Sequence, residues 1–473
     1  MNSLKPLQLA GLILGSLLAV YLVFSHLQYF SNLSFLGALL LLEVIVAALW
    51  KYSQRFFVLL MLAFLWAGMN VPLQNAWTSA RWAVLSVGAL VGCLSWMKSS
   101  RGSFKSFHLL AVFCVAAAFV SATISPYPQM ALFKALSLCL LFLYCLSGAR
   151  LAVLGREDRF FLGLLMGCEI AVYATAVCYF AFGLSVWGNP NSLGAAMSIG
   201  VFPVLIWGWL IGDSKAQRAR RAVSLLLCAY LIFFSMARAG IISMALVTLV
   251  LFLCLHQYRL LVKVVGLVVL LVAVTGMFAP GTLNRLLGNT KDSLLYKGHK
   301  EEGVLGSRQT PWENTITSIE EHPWFGTGYG TSPTRDDPGL QYGRFASSAE
   351  TVREHGSSYM TIAEWVGLLG VTPFLALICL ASSNVWRVCA WMKQTSHARH
   401  YSVPLAMVVL AGLAHANLED WLFAVGAYPC VYFWVFAFLL ADLVPRATET
   451  FPASVLVRRP RSLPEFRAAI ANR

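Results

Sequence analysis

Charge is scarce in this sequence, in which Asp, Glu, Lys and Arg make up 12% of 473 residues and hydrophobic residues make up 58%. Soluble domains carry roughly 25% charged residues, so an ordinary soluble protein is excluded. The hydrophobic residues form continuous runs that can cross the roughly 30 Å core of a bilayer. Because these runs do not alternate with polar residues, a β-barrel is excluded too. We predict an all-α, polytopic integral membrane protein with about 12–14 transmembrane helices.

Cysteine motifs are also missing. The 11 cysteines all fall in hydrophobic runs, and neither CxxC nor a Cys/His metal spacing occurs. They are expected to be small buried residues and not a disulfide framework. We predict no metal site and no cofactor.

Fourteen hydrophobic runs are long enough to be spans, although the shorter ones are less clear. They lie at 7–24, 33–50, 56–72, 80–97, 107–124, 130–149, 160–182, 191–211, 222–236, 239–256, 261–279, 357–380, 401–416 and 421–443. Lys and Arg are concentrated in alternate short loops, which predicts that both termini are cytoplasmic. The positive charges behind the net charge of +14 therefore report the membrane topology, and no nucleic-acid partner is expected.

The same charge pattern divides the chain into four parts. They are N-terminal transmembrane helices (1–279), one large extracytoplasmic loop (280–356), C-terminal transmembrane helices (357–444) and a basic cytoplasmic tail (445–473). A loop this long is either functional or disordered. The regular features inside it favour function.

The run from Val223 to His256 is interrupted only around Arg238. As one helix it would be about 50 Å long, too long for the bilayer core. Two spans joined by a tight turn fit better, and they spare Arg238 the cost of a mid-membrane position.

The large loop contains a helix signal. Thr310-Pro311-Trp312-Glu313 reads as a capping box with proline at the first helical position. An apolar stripe of Trp312, Ile316 and Ile319 follows, and Pro323 ends the pattern. We predict a short amphipathic helix of about ten residues lying against the membrane or the bundle.

Arg238, Arg308 and His355 are the candidate chemical groups. Two guanidinium groups suit a diphosphate. A histidine at a helix N-terminus is expected to stay neutral, as a general base requires. The alternatives are structural: Arg308 could pair with Glu301, Glu302 or Glu313, and Arg238 could be a snorkelling anchor.

Several stretches resemble the O-antigen ligase family, which includes related polysaccharide polymerases. The likeness covers roughly residues 185–375. Its pieces are Gly188-Asn189-Pro190-Asn191, Ser235-Met-Ala-Arg238-Ala-Gly240, Gly306-Ser-Arg308-x3-Trp312, Glu321-His-Pro-Trp-Phe-Gly-Thr-Gly328, His355-Gly-Ser-Ser-Tyr359 and Gly367-Leu-Leu-Gly370.

The resemblance implies a GT-C-like, metal-independent, inverting glycosyltransferase in a bacterial inner membrane. Such an enzyme transfers a glycan from an undecaprenyl-diphosphate carrier to an acceptor sugar hydroxyl on the outer face. It implies that Arg238 and Arg308 bind the diphosphate and that His355 is the catalytic base. The expected partners are the lipid-linked donor, a glycan or lipid acceptor and the bilayer.

Five further residues are candidates for the acceptor site or cavity: Asn189, Asn191, Tyr359, Glu364 and His415. For Glu364 the alternative is an interhelical hydrogen bond, which we favour. A polymerase of the same superfamily, a lipid-linked oligosaccharide flippase and a structural subunit remain alternatives.

Overall fold

The computed structural model describes residues 54–72, 74–97, 103–259, 262, 306–332 and 353–445. These residues form helices and no strands. The helices are α1 (Phe56–Ala67), α2 (Gln74–Met97), α3 (Ser106–Thr123), α4 (Pro128–Val153), α5 (Glu157–Ala181), α6 (Pro190–Leu210), α7 (Lys215–Phe234), α8 (Arg238–Cys254), α9 (Gly306–Glu321), α10 (Ser358–Thr395), α11 (Ser402–His415) and α12 (Tyr428–Leu443). The all-α prediction is confirmed for this part of the chain.

Six of these helices are long and apolar enough to cross a membrane: α2, α3, α4, α5, α6 and α10. Four shorter helices, α1, α8, α11 and α12, are also apolar. The predicted spans 7–24, 33–50 and 261–279 lie outside the described residues, apart from residue 262. The boundary at 279/280 and the tail after residue 445 also lie outside them.

The interior of the bundle is apolar. Helix α10 packs along α3, and α8 packs along α11. At the end of the bundle where α3 begins, the Arg150 guanidinium forms a buried bidentate pair with Asp442, at 2.6 and 3.0 Å. It also donates to the Ser103 carbonyl, and this pair therefore ties α4 to α12 and to the start of α3. All cysteines are free, and only Cys379 is exposed.

The turn between α7 and α8 confirms the predicted break in the 223–256 run. Helix α7 ends at Phe234 and α8 begins at Arg238. Met236 lies in the left-handed region with φ of 51°, and the Ser235 hydroxyl accepts the Ala237 N–H at 3.3 Å. The tight turn places Arg238 at the first position of α8.

Helix α9 begins earlier than its sequence signal suggested. It starts at Gly306, so the predicted capping box is wrong and Pro311 lies inside the helix. The proline removes only one backbone donor, while ion pairs of Arg308 hold the turn before it. Within the predicted stripe, Trp312 and Ile319 are half-buried and Ile316 is exposed, while Thr315 is buried. The helix ends at Glu321, as Pro323 predicted.

Helix α10 is broken at Gly367, whose φ of 63° and ψ of −175° interrupt the helical backbone. The break frees carbonyl and N–H groups that the segment 323–328 satisfies. Four backbone hydrogen bonds join the two segments: Thr327 N to Glu364 O (2.9 Å), Gly328 N to Trp365 O (3.2 Å), Leu368 N to Pro323 O (2.8 Å) and Leu369 N to Trp324 O (3.1 Å). The family-like stretches around Pro323–Gly328 and Gly367 are therefore one structural unit.

Replacing Gly326 with alanine should destabilise this unit. A Cβ at Gly326 would overlap the Glu364 carbonyl oxygen and lie 2.5 Å from the Trp365 carbonyl carbon. Since both obstacles are backbone, relief requires moving α10, and we expect a loss of about 2–3 kcal/mol. Thermal unfolding of the solubilised protein measures it.

Gly163→Ala is the matched control, because a Cβ there meets nothing within 4 Å. Gly163 is an exposed residue of α5, so its replacement by alanine should leave the stability unchanged or raise it slightly. Equal unfolding temperatures for Gly326→Ala and Gly163→Ala would contradict the docking of segment 323–328 into α10.

Candidate functional site

The N-terminus of α10 is clamped onto the turn 416–422 that follows α11. The Ser358 N–H donates to the carbonyls of Ala416 and Glu419, at 2.9 and 3.1 Å. Its hydroxyl donates to the Glu419 carbonyl at 2.6 Å and accepts the Leu422 N–H at 3.0 Å. Ser358 therefore fixes Glu419 and the next residue, Asp420, beside the start of α10.

His355 lies against this turn and is fully buried. Its Nδ1 is 3.3 Å from Asp420 Oδ2, which also accepts the His355 backbone N–H at 3.1 Å. Its Nε2 is 2.8 Å from the Ser332 hydroxyl and 3.4 Å from Glu364 Oε2. The imidazole is thus held from both sides, with Asp420 in the orienting position of an Asp–His pair.

Carboxylates dominate the protonation of His355. Burial lowers the pKa of the imidazole, but the hydrogen bonds and charges of Asp420 and Glu364 outweigh burial and raise the pKa above 6.5. For Asp420, burial raises the pKa of the carboxyl, whereas the bonds to His355 lower it, with a net shift below 3.8. The two carboxylates, and not the helix N-terminus, set the direction of this pKa shift, and the neutral form of His355 stays a prediction.

Arg308, in the first turn of α9, is buried between two glutamates. Its Nη1 pairs with Glu354, and its Nη2 lies 2.8 Å from Glu419 Oε1. The expected alternatives differ from these partners, because Glu313 contacts Gln309 and Glu301 and Glu302 lie outside the described residues. A fork-shaped guanidinium can form ion pairs with carboxylates and can also bind a phosphate ligand.

Two dipeptides thus face each other. Glu354-His355 meets Glu419-Asp420, with Arg308 bridging the glutamates and His355 bonding the aspartate. Together with Glu364 these residues form what we call the charged cluster: Arg308, Glu354, His355, Glu364, Glu419 and Asp420.

Arg238 adjoins the charged cluster, since it interacts electrostatically with both Arg308 and Glu419. Asn191 also reaches the cluster, with its amide 3.4 Å from Glu419 Oε1. Asn189 does not: it caps α6, and its side chain accepts the Asn191 N–H at 2.8 Å. The structure therefore brings Arg238, Arg308 and His355 to one end of the bundle and gives Asn189 a capping role.

Glu364 lies inside α10 and is buried. Its Oε2 pairs with Arg353 as well as contacting His355, while Oε1 has no hydrogen-bond partner in the described residues. Both of these partners precede α10 in the chain and neither lies in another helix, and the role of Glu364 in the cavity stays a prediction. Asp420 and Glu364 contact opposite nitrogens of His355, so they do not converge on one point as metal ligands would. Metal independence stays a prediction.

An open cavity of about 530 Å³ lies between α8, α10 and α11. It is mostly apolar. Its lining includes Ile242, Leu246 and Tyr359, and the Tyr359 hydroxyl donates to the Leu413 carbonyl at 2.8 Å. Arg238, Ile242 and Leu246 are spaced by four residues and share one face of α8, which places Arg238 above this cavity.

Sequence reasoning missed three partners of the candidate residues: Ser332, Arg353 and Glu354. Ser332 contacts His355, Glu354 contacts Arg308, and Arg353 contacts Glu364. The Glu419-Asp420 pair did give a signal, because the other predicted outer turns carry few charges.

The fold and the site define a polytopic helical membrane protein with a charged cluster at one end of its bundle. Residues 223–375 match the family model described as O-antigen ligase. The resemblance inferred from the motifs is therefore confirmed over this segment of the chain. No curated protein matches the chain. The matched segment contains Arg238, Arg308 and His355, whereas Asn191, His415, Glu419 and Asp420 lie outside it.

Proposed function

We propose that the chain is a membrane glycosyltransferase that moves a glycan from a polyprenyl diphosphate to an acceptor sugar hydroxyl. The observation that carries this proposal is the charged cluster, which places a carboxylate-held histidine beside a buried arginine, next to Arg238. The match to O-antigen ligases supports a glycosyl-transfer reaction. The bond made is acceptor oxygen to sugar C1, and the bond broken is C1 to diphosphate oxygen.

The leaving group needs cations. Negative charge grows on the diphosphate oxygen as the glycosidic bond breaks, through an oxocarbenium-like state. Arg238 and the buried Arg308 supply fixed positive charge, which stabilises that oxygen without reorganisation. In the structure Arg308 holds Glu354, whose side chain is 64% exposed. An exposed carboxylate of this kind contributes little, so the diphosphate can displace it.

The acceptor needs a base. With Asp420 bonded at Nδ1, the Nε2 of His355 is the atom that takes the acceptor proton. The Ser332 hydroxyl lies 2.8 Å from Nε2, and the acceptor hydroxyl would replace it as the partner of this nitrogen. A single attack with a single base inverts the configuration at C1.

The polyprenyl chain needs an apolar surface. The cavity lined by Ile242, Leu246 and Tyr359 begins below Arg238. A diphosphate held at Arg238 therefore leaves its chain against apolar side chains. This arrangement favours a lipid-linked donor over a soluble nucleotide sugar.

We further propose that the charged cluster faces away from the cytoplasm of a bacterial cell, in its inner membrane. The support is the distribution of Lys and Arg among the short loops. An acceptor on lipid A-core would make the protein a ligase, and a carrier-linked acceptor chain would make it a polymerase.

Reconstitution tests the reaction. Proteoliposomes with an undecaprenyl-diphosphate-linked glycan and candidate acceptors should form a glycosidic product, equally with and without EDTA. Loss of product with EDTA would overturn metal independence. Movement of glycan across the vesicle membrane with no product would identify a flippase. Comparing lipid A-core with a second carrier-linked glycan as acceptor separates ligase from polymerase.

A further inference from the structure

His415, the last residue of α11, is buried with 1% of its surface exposed. Its Nδ1 accepts a hydrogen bond from the Trp421 indole N–H, at 3.0 Å. An indole nitrogen can only donate, so Nδ1 carries no proton. The single ring proton must therefore lie on Nε2, and Trp421 fixes this tautomer.

The Nε2–H of His415 has no hydrogen-bond partner in the described part of the chain. Buried donors are nearly always satisfied in native structures, by protein, water or ligand. Trp421 therefore fixes a proton on the ring nitrogen that the described residues leave without a hydrogen-bond partner. That is the arrangement expected of a donor reserved for a bound molecule.

The position of His415 indicates what kind of molecule would accept this hydrogen bond. The ring interacts electrostatically with Arg308. It is joined to the turn 416–422, which carries Glu419 and Asp420. Its helix also provides Leu413 and Ala414 to the apolar cavity. His415 itself does not line that cavity, so its ring is tied to the charged cluster, where the diphosphate is proposed to bind.

We propose that His415 donates a hydrogen bond from Nε2 to a phosphate oxygen of the lipid diphosphate. The proposal rests on the proposed function and names a further binding residue for it. No proton is transferred, because the neutral imidazole keeps its proton throughout. A neutral donor complements the two arginines, since it adds a directed bond without adding like charge near Arg308.

Two substitutions separate this role from a purely structural one. Asparagine places its amide oxygen near the Nδ1 position, so His415→Asn can still accept from Trp421 but lacks a donor at Nε2. Glutamine reaches the Nε2 position with its amide N–H₂, so His415→Gln keeps the donor and gives up the Nδ1 acceptor. A binding role predicts that Gln is the better substitute; a structural role predicts that Asn is.

The measurement is binding of undecaprenyl diphosphate to the full chain in detergent, with undecaprenol as the phosphate-free control. We expect His415→Asn to weaken binding of the diphosphate about ten-fold, as for a lost bond to a charged group, and binding of the alcohol not at all. His415→Gln should stay within about three-fold of wild type. Wild-type affinity in His415→Asn, or weaker binding in His415→Gln than in His415→Asn, would overturn the proposal.

Arg308→Lys distinguishes failure of this inference from failure of the proposed function. If the wild type prefers the diphosphate to the alcohol and Arg308→Lys loses that preference, the lipid-diphosphate site stands whatever His415 does. If wild type binds the two lipids equally, both the substrate class and the His415 role are overturned. A change confined to the KM of the acceptor would move His415 to the acceptor site, against the proposal.

Discussion

His355→Ala is expected to lower glycan transfer by about 10²- to 10⁴-fold, the range typical for loss of a general base. Donor binding should survive, because Arg238 and Arg308 hold the diphosphate and His355 acts on the acceptor. The check is a pair of measurements on one preparation: product formation and binding of undecaprenyl diphosphate. Transfer within three-fold of wild type would overturn the base assignment.

The pH dependence of transfer gives an independent signature of the same residue. His355 must be unprotonated to accept the acceptor proton, so kcat/KM should rise with pH and level off above the raised pKa of the imidazole. Asp420→Asn removes one of the carboxylates that raise this pKa, so the inflection should move to lower pH. The plateau rate should fall as well, because the asparagine no longer orients the ring as the carboxylate does.

A control for folding is needed, since His355 is buried against α10 and Asp420 holds it there. Unfolding temperature and a normal apolar cavity, probed by binding of undecaprenol, separate a catalytic defect from a misfolded bundle. An Asp420→Asn enzyme whose inflection stays at the wild-type pH would show that Asp420 does not set the charge of His355.

The helices were the most predictable part of this chain, because hydrophobic length is a local property. The turn at Ser235–Ala237 followed from the cost of placing Arg238 in lipid, and the structure has it there. The predicted start of α9 was wrong because it depends on contacts that are not local. Its local signal began at Thr310, but Arg308 is held in the helix by Glu354 and Glu419, which are distant in sequence.

The site was predictable only in its parts. Motifs selected Arg238, Arg308 and His355, but the carboxylate that contacts Nδ1 of His355 belongs to Asp420, 65 positions away. The motifs selected the stretch Pro323–Gly328 but gave no physical reason for it. The reason is the break of α10 at Gly367. Periodicity cannot locate such a break, because its backbone groups are satisfied by another segment.

Arg308→Lys should weaken donor binding by about 10- to 100-fold while leaving the acceptor KM unchanged. Lysine keeps the charge but cannot present two parallel N–H groups to a diphosphate. A charged hydrogen bond contributes about 1.5–3 kcal/mol, which corresponds to this loss of affinity. The donor KM in the reconstituted assay measures it, and Arg387→Lys, an exposed change near the far end of α10, should behave as wild type.

Glu354→Gln tests the same site, but here the donor KM is expected to fall and not to rise. If the donor diphosphate displaces Glu354 from Arg308, neutralising this carboxylate removes a competitor, and the donor KM should fall by up to about five-fold, since an exposed ion pair is worth at most about 1 kcal/mol. If Glu354 instead helps to hold Arg308 in place, the donor KM should rise. A lower KM in Glu354→Gln together with a higher KM in Arg308→Lys is the result expected of an arginine that exchanges its exposed carboxylate for a diphosphate. A rise in both variants would make Arg308 a structural residue, with diphosphate recognition left to Arg238.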